Sequence, residues 1–365
     1  MIKKLLFLAF IFISVTSFAQ NINLSENAKV SIFTCGRGDE LYTTFGHTAI
    51  RIKDETNNLD VVYNYGAFDF NTDNFYLKFV KGDLQYFINA TSFDDFIYEY
   101  QMEKREVIEQ TLNFSITQKQ QIFELLNASL FSEERSYTYK FIDRNCTTMV
   151  VEKINKIVGK ELIKKVDDTS ISYRQLLYPY FANHFYYKLG INIIFGSKTD
   201  NKAIKLFLPS ELMHSLDKAK INGIPLINKK ETLIQGNDII SKFYFVDSIY
   251  FIALLLFVLT VTNNKKVFKT YLFIAGLLGL FLSLVGLYSL HKELLWNYNA
   301  LLFNPLFLLF PFLKGQWFRK TIKICFVLIG IYLIVLLTKP HILLMVPFII
   351  TTVYMLWKLQ KLENK

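Results

Sequence analysis

Two side chains in the first half of the sequence have the chemistry of a thiol nucleophile and a general base. Cys146 follows Asn145, a good helix N-cap, so the thiol is expected in the first turn of a helix predicted over 146–158. There the helix dipole lowers the pKa of a thiol, and unpaired first-turn amides can stabilise an oxyanion. His47 opens a predicted strand beside a glycine, at a sheet end where a cleft can form. These residue types predict acyl-transfer chemistry on a cysteine.

Each of these residues also has a structural interpretation. Cys146 could be a buried thiol or form a disulfide with Cys35, because both lie in a predicted exported domain and that compartment is oxidising. His47 could be a surface histidine or one that is hydrogen-bonded for structural reasons. Cys35 is an alternative nucleophile. One cysteine and one histidine far apart in the sequence do not by themselves decide between these interpretations.

A mixed α/β domain is predicted to position these residues. Alternating, β-branched and aromatic runs predict strands over 29–34, 47–53, 60–66, 83–89 and 106–114. Helical spacing of apolar residues predicts helices over 117–130, 146–158 and 172–194.

Other polar residues near the predicted strands are candidates for supporting roles. Arg51 shares the strand face of His47 and could bind a lipid phosphate or pair with an acid. Tyr63, Asn64 and Tyr65 lie on the following strand and are candidates for orienting His47. Ordinary strand packing is the alternative for each of these three.

The N-terminus has the pattern of a secretory signal peptide over 1–19. Lys3 and Lys4 precede an apolar run, and Ala19 supplies a small residue before a cleavage point at Gln20. A retained anchor is the alternative. No cysteine follows the cleavage point, so the chain is not expected to be a lipid-anchored lipoprotein itself. We predict a periplasmic domain over 20–245 and a transmembrane domain over 246–365.

The net charge of +10 belongs to the second half of the chain. Residues 20–245 carry 27 basic and 28 acidic residues, whereas residues 246–365 carry 12 and 3. Apolar segments at 246–262, 270–290, 299–313, 321–338 and 341–357 predict about five transmembrane helices. The third segment is short and contains Pro305 and Pro311, so a kinked or re-entrant segment is the alternative there. Their basic clusters fall in alternate loops, as the positive-inside rule requires if the first domain is outside. We therefore predict a multi-pass protein of the bacterial inner membrane with its catalytic domain on the periplasmic side, and no nucleic-acid partner.

One predicted outside loop holds residues that could meet lipid headgroups at the membrane surface. They are His291, Trp296, Asn297 and Asn299. An aromatic-belt anchor is the alternative for Trp296.

Several runs of the sequence, in this order, resemble the Lnb-type lipoprotein N-acyltransferase family. They are TCGRGDELY at 34–42, FGHTAIR at 45–51, VYNYGAFDF at 62–70, FYLKFVKG at 75–82, NCTT at 145–148, SYRQL at 172–176, FLP at 207–209, WNYN at 296–299 and NPL at 304–306. Arg37 stands where proline is expected, in a loop outside the proposed chemistry. The exported domain also resembles circularly permuted papain-like enzymes such as the lecithin:retinol acyltransferase group.

These resemblances imply a fold and an activity. The fold is an α+β, permuted papain-like exported domain followed by an all-α bundle of about five transmembrane helices. Cys146 is implied as the nucleophile and His47 as its base. The acyl donor is a membrane phospholipid, and the acceptor is the N-terminal α-amine of a diacylglyceryl-cysteine lipoprotein. No cofactor is expected, and no metal, because His, Cys and Asp lack ligand spacing.

Two other functions remain open at this stage. A thiol hydrolase of the same fold, acting on phospholipid esters or cell-wall peptides, would use the same Cys146 and His47. A non-enzymatic envelope module that binds lipids or lipoproteins would need neither residue.

Overall fold

A mixed α/β region occupies the N-terminal part of the chain, and helices make up the C-terminal part. The structure, a computed structural model, describes residues 22–236 and 242–362. The predicted signal peptide at 1–19 lies outside the described residues. The coarse fold-class prediction is confirmed, whereas the domain boundaries stay predictions.

Seven strands form an antiparallel sheet in the order β6-β4-β3-β2-β1-β5-β9, and two short strands pair separately. The strands are β1 (Lys29–Cys35), β2 (His47–Asp54), β3 (Leu59–Ala67), β4 (Gln85–Ser92), β5 (Val107–Leu112), β6 (Ser136–Thr138), β7 (Lys220–Ile221), β8 (Ile224–Pro225) and β9 (Ile227–Ile234). All five predicted strands are present. The other four strands, β6 to β9, lie at the sheet edges or outside the sheet and are too short or too polar to give a sequence signal.

Helices cover both faces of the sheet. The described helices of the N-terminal part are α1 (Phe75–Lys81), α2 (Phe93–Met102), α3 (Ile116–Phe131), α4 (Cys146–Val158), α5 (Tyr173–Leu177), α6 (Phe185–Ile194) and α7 (Pro209–Lys218). The larger core packs α3, α4 and α7 on one face, and a smaller core packs α2 on the other. The single helix predicted over 172–194 is wrong, because Pro179 lies in a 3-10 turn, Tyr178–Phe181, that separates α5 from α6.

The prediction of five transmembrane helices is also wrong. The described C-terminal helices are α8 (Ile249–Val261), α9 (Lys265–Tyr288), α10 (Gly315–Leu336) and α11 (Ile342–Leu362). Among the described residues, only α9 and α11 are both long and apolar enough to cross a membrane. Helix α8 is a shorter apolar helix of 13 residues, and α10 carries three basic residues in its first half.

The third predicted segment, 299–313, is not a transmembrane helix. It forms two 3-10 turns, Tyr298–Leu301 and Pro305–Leu309, which pack against α9. Asn304 accepts a hydrogen bond from the amide of Leu306, and Pro305 has no amide hydrogen for a longer helix. Apolar composition alone does not distinguish such buried turns from a membrane-spanning helix.

A buried guanidinium joins the N-terminal and C-terminal parts. Arg174 has 0% of its surface exposed and donates hydrogen bonds to Asp200 (2.8 Å) and to carbonyl groups that follow α6. The hydroxyl of Tyr298, which lies between α9 and α10, donates to the other carboxylate oxygen of Asp200 at 2.8 Å. Since a buried charge must be fully hydrogen-bonded, this network fixes the two parts relative to one another.

Gly279 tests the packing of α9 against the turns that replace the third segment. A Cβ at Gly279 would lie 1.4 Å from the carbonyl oxygen of Phe303, whereas a Cβ at Gly330 on α10 would meet nothing within 4 Å. We expect Gly279→Ala to destabilise the protein by about 3 kcal/mol, because α9 and the backbone at Phe303 would have to move apart. Gly330→Ala is the matched control and should be neutral or slightly stabilising. Thermal unfolding in detergent measures both, and equal melting temperatures would contradict this packing.

Candidate active site

The thiol of Cys146 lies at the start of α4, and Asn145 determines where that helix begins. The Asn145 side chain accepts a hydrogen bond from the amide of Thr148 (3.0 Å), and the Thr148 hydroxyl accepts one from the amide of Asn145 (2.8 Å). The Asn145 amide group also donates to the carbonyls of Phe141 and Phe207. The predicted N-cap is confirmed, and these bonds hold the first turn of α4 in place.

His47 and Cys146, which are distant in the sequence, are adjacent in space. A Cβ on Gly66 would lie within 4 Å of both side chains, and the charge of each residue shifts the pKa of the other. A hydrogen bond between the hydroxyls of Thr48 and Thr147 (3.1 Å) joins β2 to α4 directly beside the pair. The packing of the start of β2 against the start of α4 therefore brings the two side chains together.

Asn64 on β3 orients the imidazole of His47. Nε2 of His47 lies 3.1 Å from Oδ1 of Asn64, and because an amide oxygen can only accept, Nε2 carries the proton. Nδ1 is then the ring nitrogen left for Cys146. Among the three orienting candidates on β3, Asn64 is the one whose side chain is hydrogen-bonded to His47. The arrangement is a Cys–His–Asn constellation, which is found in papain-like proteases.

Gly66, which was not singled out as a site residue, makes room for the pair. It lies opposite His47, where the pairing of β3 with β4 shifts between Tyr65 and Ala67, and its φ is +142°. A Cβ here would approach Cε1 of His47 to 3.2 Å and Cβ of Cys146 to 3.7 Å. An isolated glycine in a predicted strand is the sequence signal that could have identified it, because it marks a bulge or a close approach.

The charges of the pair depend on each other. Burial raises the pKa of the Cys146 thiol, but the charge of His47 and hydrogen bonds from His47 and the Thr48 amide together lower it below its ordinary value. Burial lowers the pKa of His47, but the thiolate and hydrogen bonds with Cys146 and Asn64 together raise it. Both shifts therefore favour the thiolate and imidazolium form of the pair over the neutral form.

Cys35 differs from Cys146 in every property that makes a thiol reactive. All three cysteines are unpaired, so Cys35 and Cys146 form no disulfide in this structure. Burial raises the pKa of Cys35 to about 12, and its hydrogen-bond partner is Tyr100. A protonated, buried thiol is a poor nucleophile, so the geometry favours Cys146. Within the described residues, no three His, Cys, Asp or Glu side chains form a group that could hold a metal ion.

Arg51 and Tyr65 lie away from the reactive pair. The guanidinium of Arg51 is buried, pairs with Asp60 through two hydrogen bonds of 2.7 Å and also contacts Glu109. Of the two interpretations of Arg51, the structure shows the ion pair with acids. Tyr65 is buried in the larger core, on the face of β3 opposite Asn64.

Three of the four predicted headgroup residues are engaged inside the protein. Asn297 and Asn299 are buried, and their amide groups donate to the last carbonyls of α6, including that of Ile193. His291 donates from Nε2 to the carbonyl of Phe79 (3.0 Å). Trp296 is 81% exposed. The headgroup prediction therefore rests on Trp296 alone.

The charge coupling predicts how alkylation of Cys146 depends on His47. His47→Ala removes the charge that lowers the pKa of Cys146, so we expect the iodoacetamide reaction at pH 7 to slow by about tenfold or more. Mass spectrometry of the labelled peptide measures the rate, and Cys35 in the same sample should stay unmodified as the internal control. An unchanged rate in His47→Ala would contradict the ion pair.

Asn64 is predicted to act through His47. Asn64→Ala leaves Nε2 of His47 without its hydrogen-bond acceptor. For the reaction catalysed at Cys146, we therefore expect a loss of about 1–2 kcal/mol in transition-state stabilisation, which lowers the rate about tenfold. The alkaline limb of the pH–rate profile should also move to lower pH, because the hydrogen bond with Asn64 helps to raise the pKa of His47. Asn127→Ala is the matched control, because this amide accepts a hydrogen bond from Tyr63 on the other face of the sheet. A pH profile that is the same in Asn64→Ala and wild type would contradict the positioning role.

Comparison with known proteins supports the resemblance over the N-terminal part. Residues 16–178 match the family model of the Lnb N-terminal periplasmic domain, and this segment contains His47, Asn64 and Cys146. No curated protein and no solved structure matches the chain, so the papain-like resemblance stays a prediction. The match to a periplasmic domain family, together with the two apolar helices α9 and α11, indicates a membrane-anchored envelope protein whose N-terminal part is similar to the Lnb periplasmic domain.

Proposed function

We propose that this protein transfers an acyl chain from a membrane phospholipid, through a thioester on Cys146, to the N-terminal α-amine of a diacylglyceryl-cysteine lipoprotein. The observation that carries the proposal is the adjacency of Cys146 and His47 at a helix start, with Asn64 hydrogen-bonded to the imidazole. The match of residues 16–178 to an Lnb periplasmic domain supports it. The resemblance of the sequence to lipoprotein N-acyltransferases supplies the donor and the acceptor.

The first half-reaction would acylate the thiol. The Cys146 thiolate attacks the ester carbonyl of the phospholipid, and the ester C–O bond breaks as the thioester forms. The imidazolium of His47 gives its proton to the departing lysophospholipid oxygen. The capping box occupies the amides of Asn145 and Thr148, so the first-turn amides of Cys146 and Thr147 are those that would face the oxyanion.

The second half-reaction would acylate the lipoprotein. Its α-amine attacks the thioester carbonyl, the neutral His47 takes the proton from the amine, and the C–S bond breaks to return the thiolate. The products are an amide-linked acyl chain and an enzyme in its starting ionisation state. A thioester suits this step because amines attack it more readily than an oxygen ester.

The membrane topology that this reaction needs agrees with the charge pattern. We place the lysine-rich start of α9 at the cytoplasmic face and its end at Tyr288 at the periplasmic face of the inner membrane. The residues after Tyr288 contact the N-terminal part, so the proposal has that part on the periplasmic side, with the segment that contains α8 returning the chain to the start of α9. Both substrates are lipids anchored in that outer leaflet, so neither needs to leave the membrane to reach the site.

The proposal predicts the state of lipoprotein N-termini in cells that depend on this protein. In cells without another N-acyltransferase, the wild type should give N-acylated lipoproteins, and Cys146→Ala or His47→Ala should give free α-amines. Cys35→Ala should retain acylation, because this buried thiol takes no part in the proposed chemistry. Mass spectrometry of the N-terminal lipopeptides distinguishes the two states.

The same experiment separates the competing functions. If Cys146→Ala and His47→Ala still gave N-acylated lipoproteins, the transferase and the nucleophile would both be wrong, and a lipid-binding module would account for the protein. If purified wild type released fatty acid and lysophospholipid at the same rate with and without lipoprotein, water would be the acceptor and the protein a hydrolase.

A further inference from the structure

Helix α1 exposes its apolar residues although it is close to the reactive pair. Tyr76 is 77% exposed and Leu77 is 68% exposed, and Phe79 and Val80 are also exposed. None of the seven residues of α1 is buried. A short helix whose apolar side chains are mostly exposed is typical of a surface that contacts a membrane or another molecule. We call Phe70, Tyr76, Leu77, Phe79 and Val80 the α1 patch.

The end of α9 holds α1 in place. The hydroxyl of Ser289 donates to the carbonyl of Val80 (2.7 Å), and the amide of Leu290 donates to that of Lys81 (2.7 Å). His291 adds its bond to the carbonyl of Phe79, and burial lowers the pKa of His291, which favours the neutral imidazole. These bonds place α1 level with the end of a helix that is long and apolar enough to cross a membrane.

The lipid-facing side of α9 continues into the α1 patch. Apolar side chains of α9 are exposed along its length and up to its last residues, Leu287 and Tyr288. The ammonium group of Lys81 lies 6.0 Å from the centre of the Tyr288 ring, next to the patch. Lysine and tyrosine are favoured at the level of lipid headgroups. The exposed apolar surface is therefore continuous from the membrane helix to α1.

A row of aromatic rings connects the α1 patch with the site. The ring of Tyr76 contacts Phe75 (5.4 Å between centres), Phe75 contacts Phe68 (5.9 Å), and Phe68 contacts Tyr86 (5.1 Å). Phe68 follows Gly66 by two residues, and both Phe68 and Cys146 pack on the larger core. The row brings aromatic surface from the α1 patch to Tyr86 and to the core on which Cys146 also packs.

We propose that the α1 patch lies in the outer leaflet of the bilayer that α9 crosses, and that the aromatic row leads the acyl chain of a phospholipid from there to Cys146. This inference rests on the proposed function for its second half only. The first half is a statement about lipid contact and holds whether or not the protein transfers acyl chains.

Photocrosslinking tests the lipid contact in the full-length protein in phospholipid nanodiscs. Tyr76→p-benzoylphenylalanine should give phospholipid adducts about tenfold above the same substitution at Thr56, which is exposed at the far end of the sheet. Leu277, exposed in the middle of α9, is the positive reference. Adducts at 76 that stay at the level of 56 would overturn the proposal, and so would their absence at 277, because α9 would then not face lipid.

An activity measurement tests the path to the thiol. Leu77→Glu puts a charge on an exposed position, so the fold should tolerate it while the patch leaves the bilayer. We expect the rate with phospholipid in nanodiscs to fall about tenfold and the rate with a water-soluble short-chain thioester to stay unchanged, with Thr56→Glu as the control. Equal loss with both donors would overturn the path. A wild type inactive with either donor, but crosslinked at 76, would refute the proposed function and leave the membrane contact standing.

Discussion

A thiolate and an imidazolium that are both partly buried stabilise one another's charge, and the proposed chemistry depends on this interaction. Burial opposes the charge on each partner, and the charge of the other partner outweighs it with the help of the Thr48 amide and Asn64. The main chain fixes the separation of Cys146 and His47, because one begins α4 and the other begins β2. A small shift of either element would therefore destabilise the charged forms of both side chains, as well as change how the two side chains are oriented.

The hydrogen bonds among Arg174, Asp200 and Tyr298 fix the N-terminal part, which contains the thiol, relative to the C-terminal helices. A thiol that takes acyl chains from lipids must stay at one height above the bilayer, and flexible tethering would not keep it there. Arg174 in the N-terminal part and Tyr298 in the C-terminal part share the carboxylate of Asp200, out of contact with water. Separating the two parts would leave these side chains exposed or without hydrogen-bond partners. The network therefore resists rotation about the junction as well as dissociation. Hydrogen bonds between α1 and the residues after α9 form a second junction, closer to the thiol.

Features that depend on local sequence patterns could be predicted from the sequence. The bounds predicted for α4 are those observed, because Asn145 caps a run with helical spacing. Asn64 could only be one of three candidates, because strand alternation gives the face of a residue but not its register with the neighbouring strand. Helix α1 was missed because its exposed apolar residues form no buried stripe. The segment 299–313 was misjudged for a related reason: its apolar residues pack against other helices as 3-10 turns, which composition does not reveal.

The same electrostatics explain how one histidine could serve both halves of the proposed reaction. In the free enzyme the thiolate raises the pKa of His47, which favours the protonated imidazole that the departing lysophospholipid needs. Forming the thioester removes that negative charge and the hydrogen bond with it. Burial then dominates and lowers the pKa of His47, which leaves a neutral base when the amine arrives. When the thiolate returns, the pKa rises again and His47 keeps the proton taken from the amine. The acid and base roles of His47 thus alternate with the charge on Cys146, and no second titratable group is needed to drive the cycle.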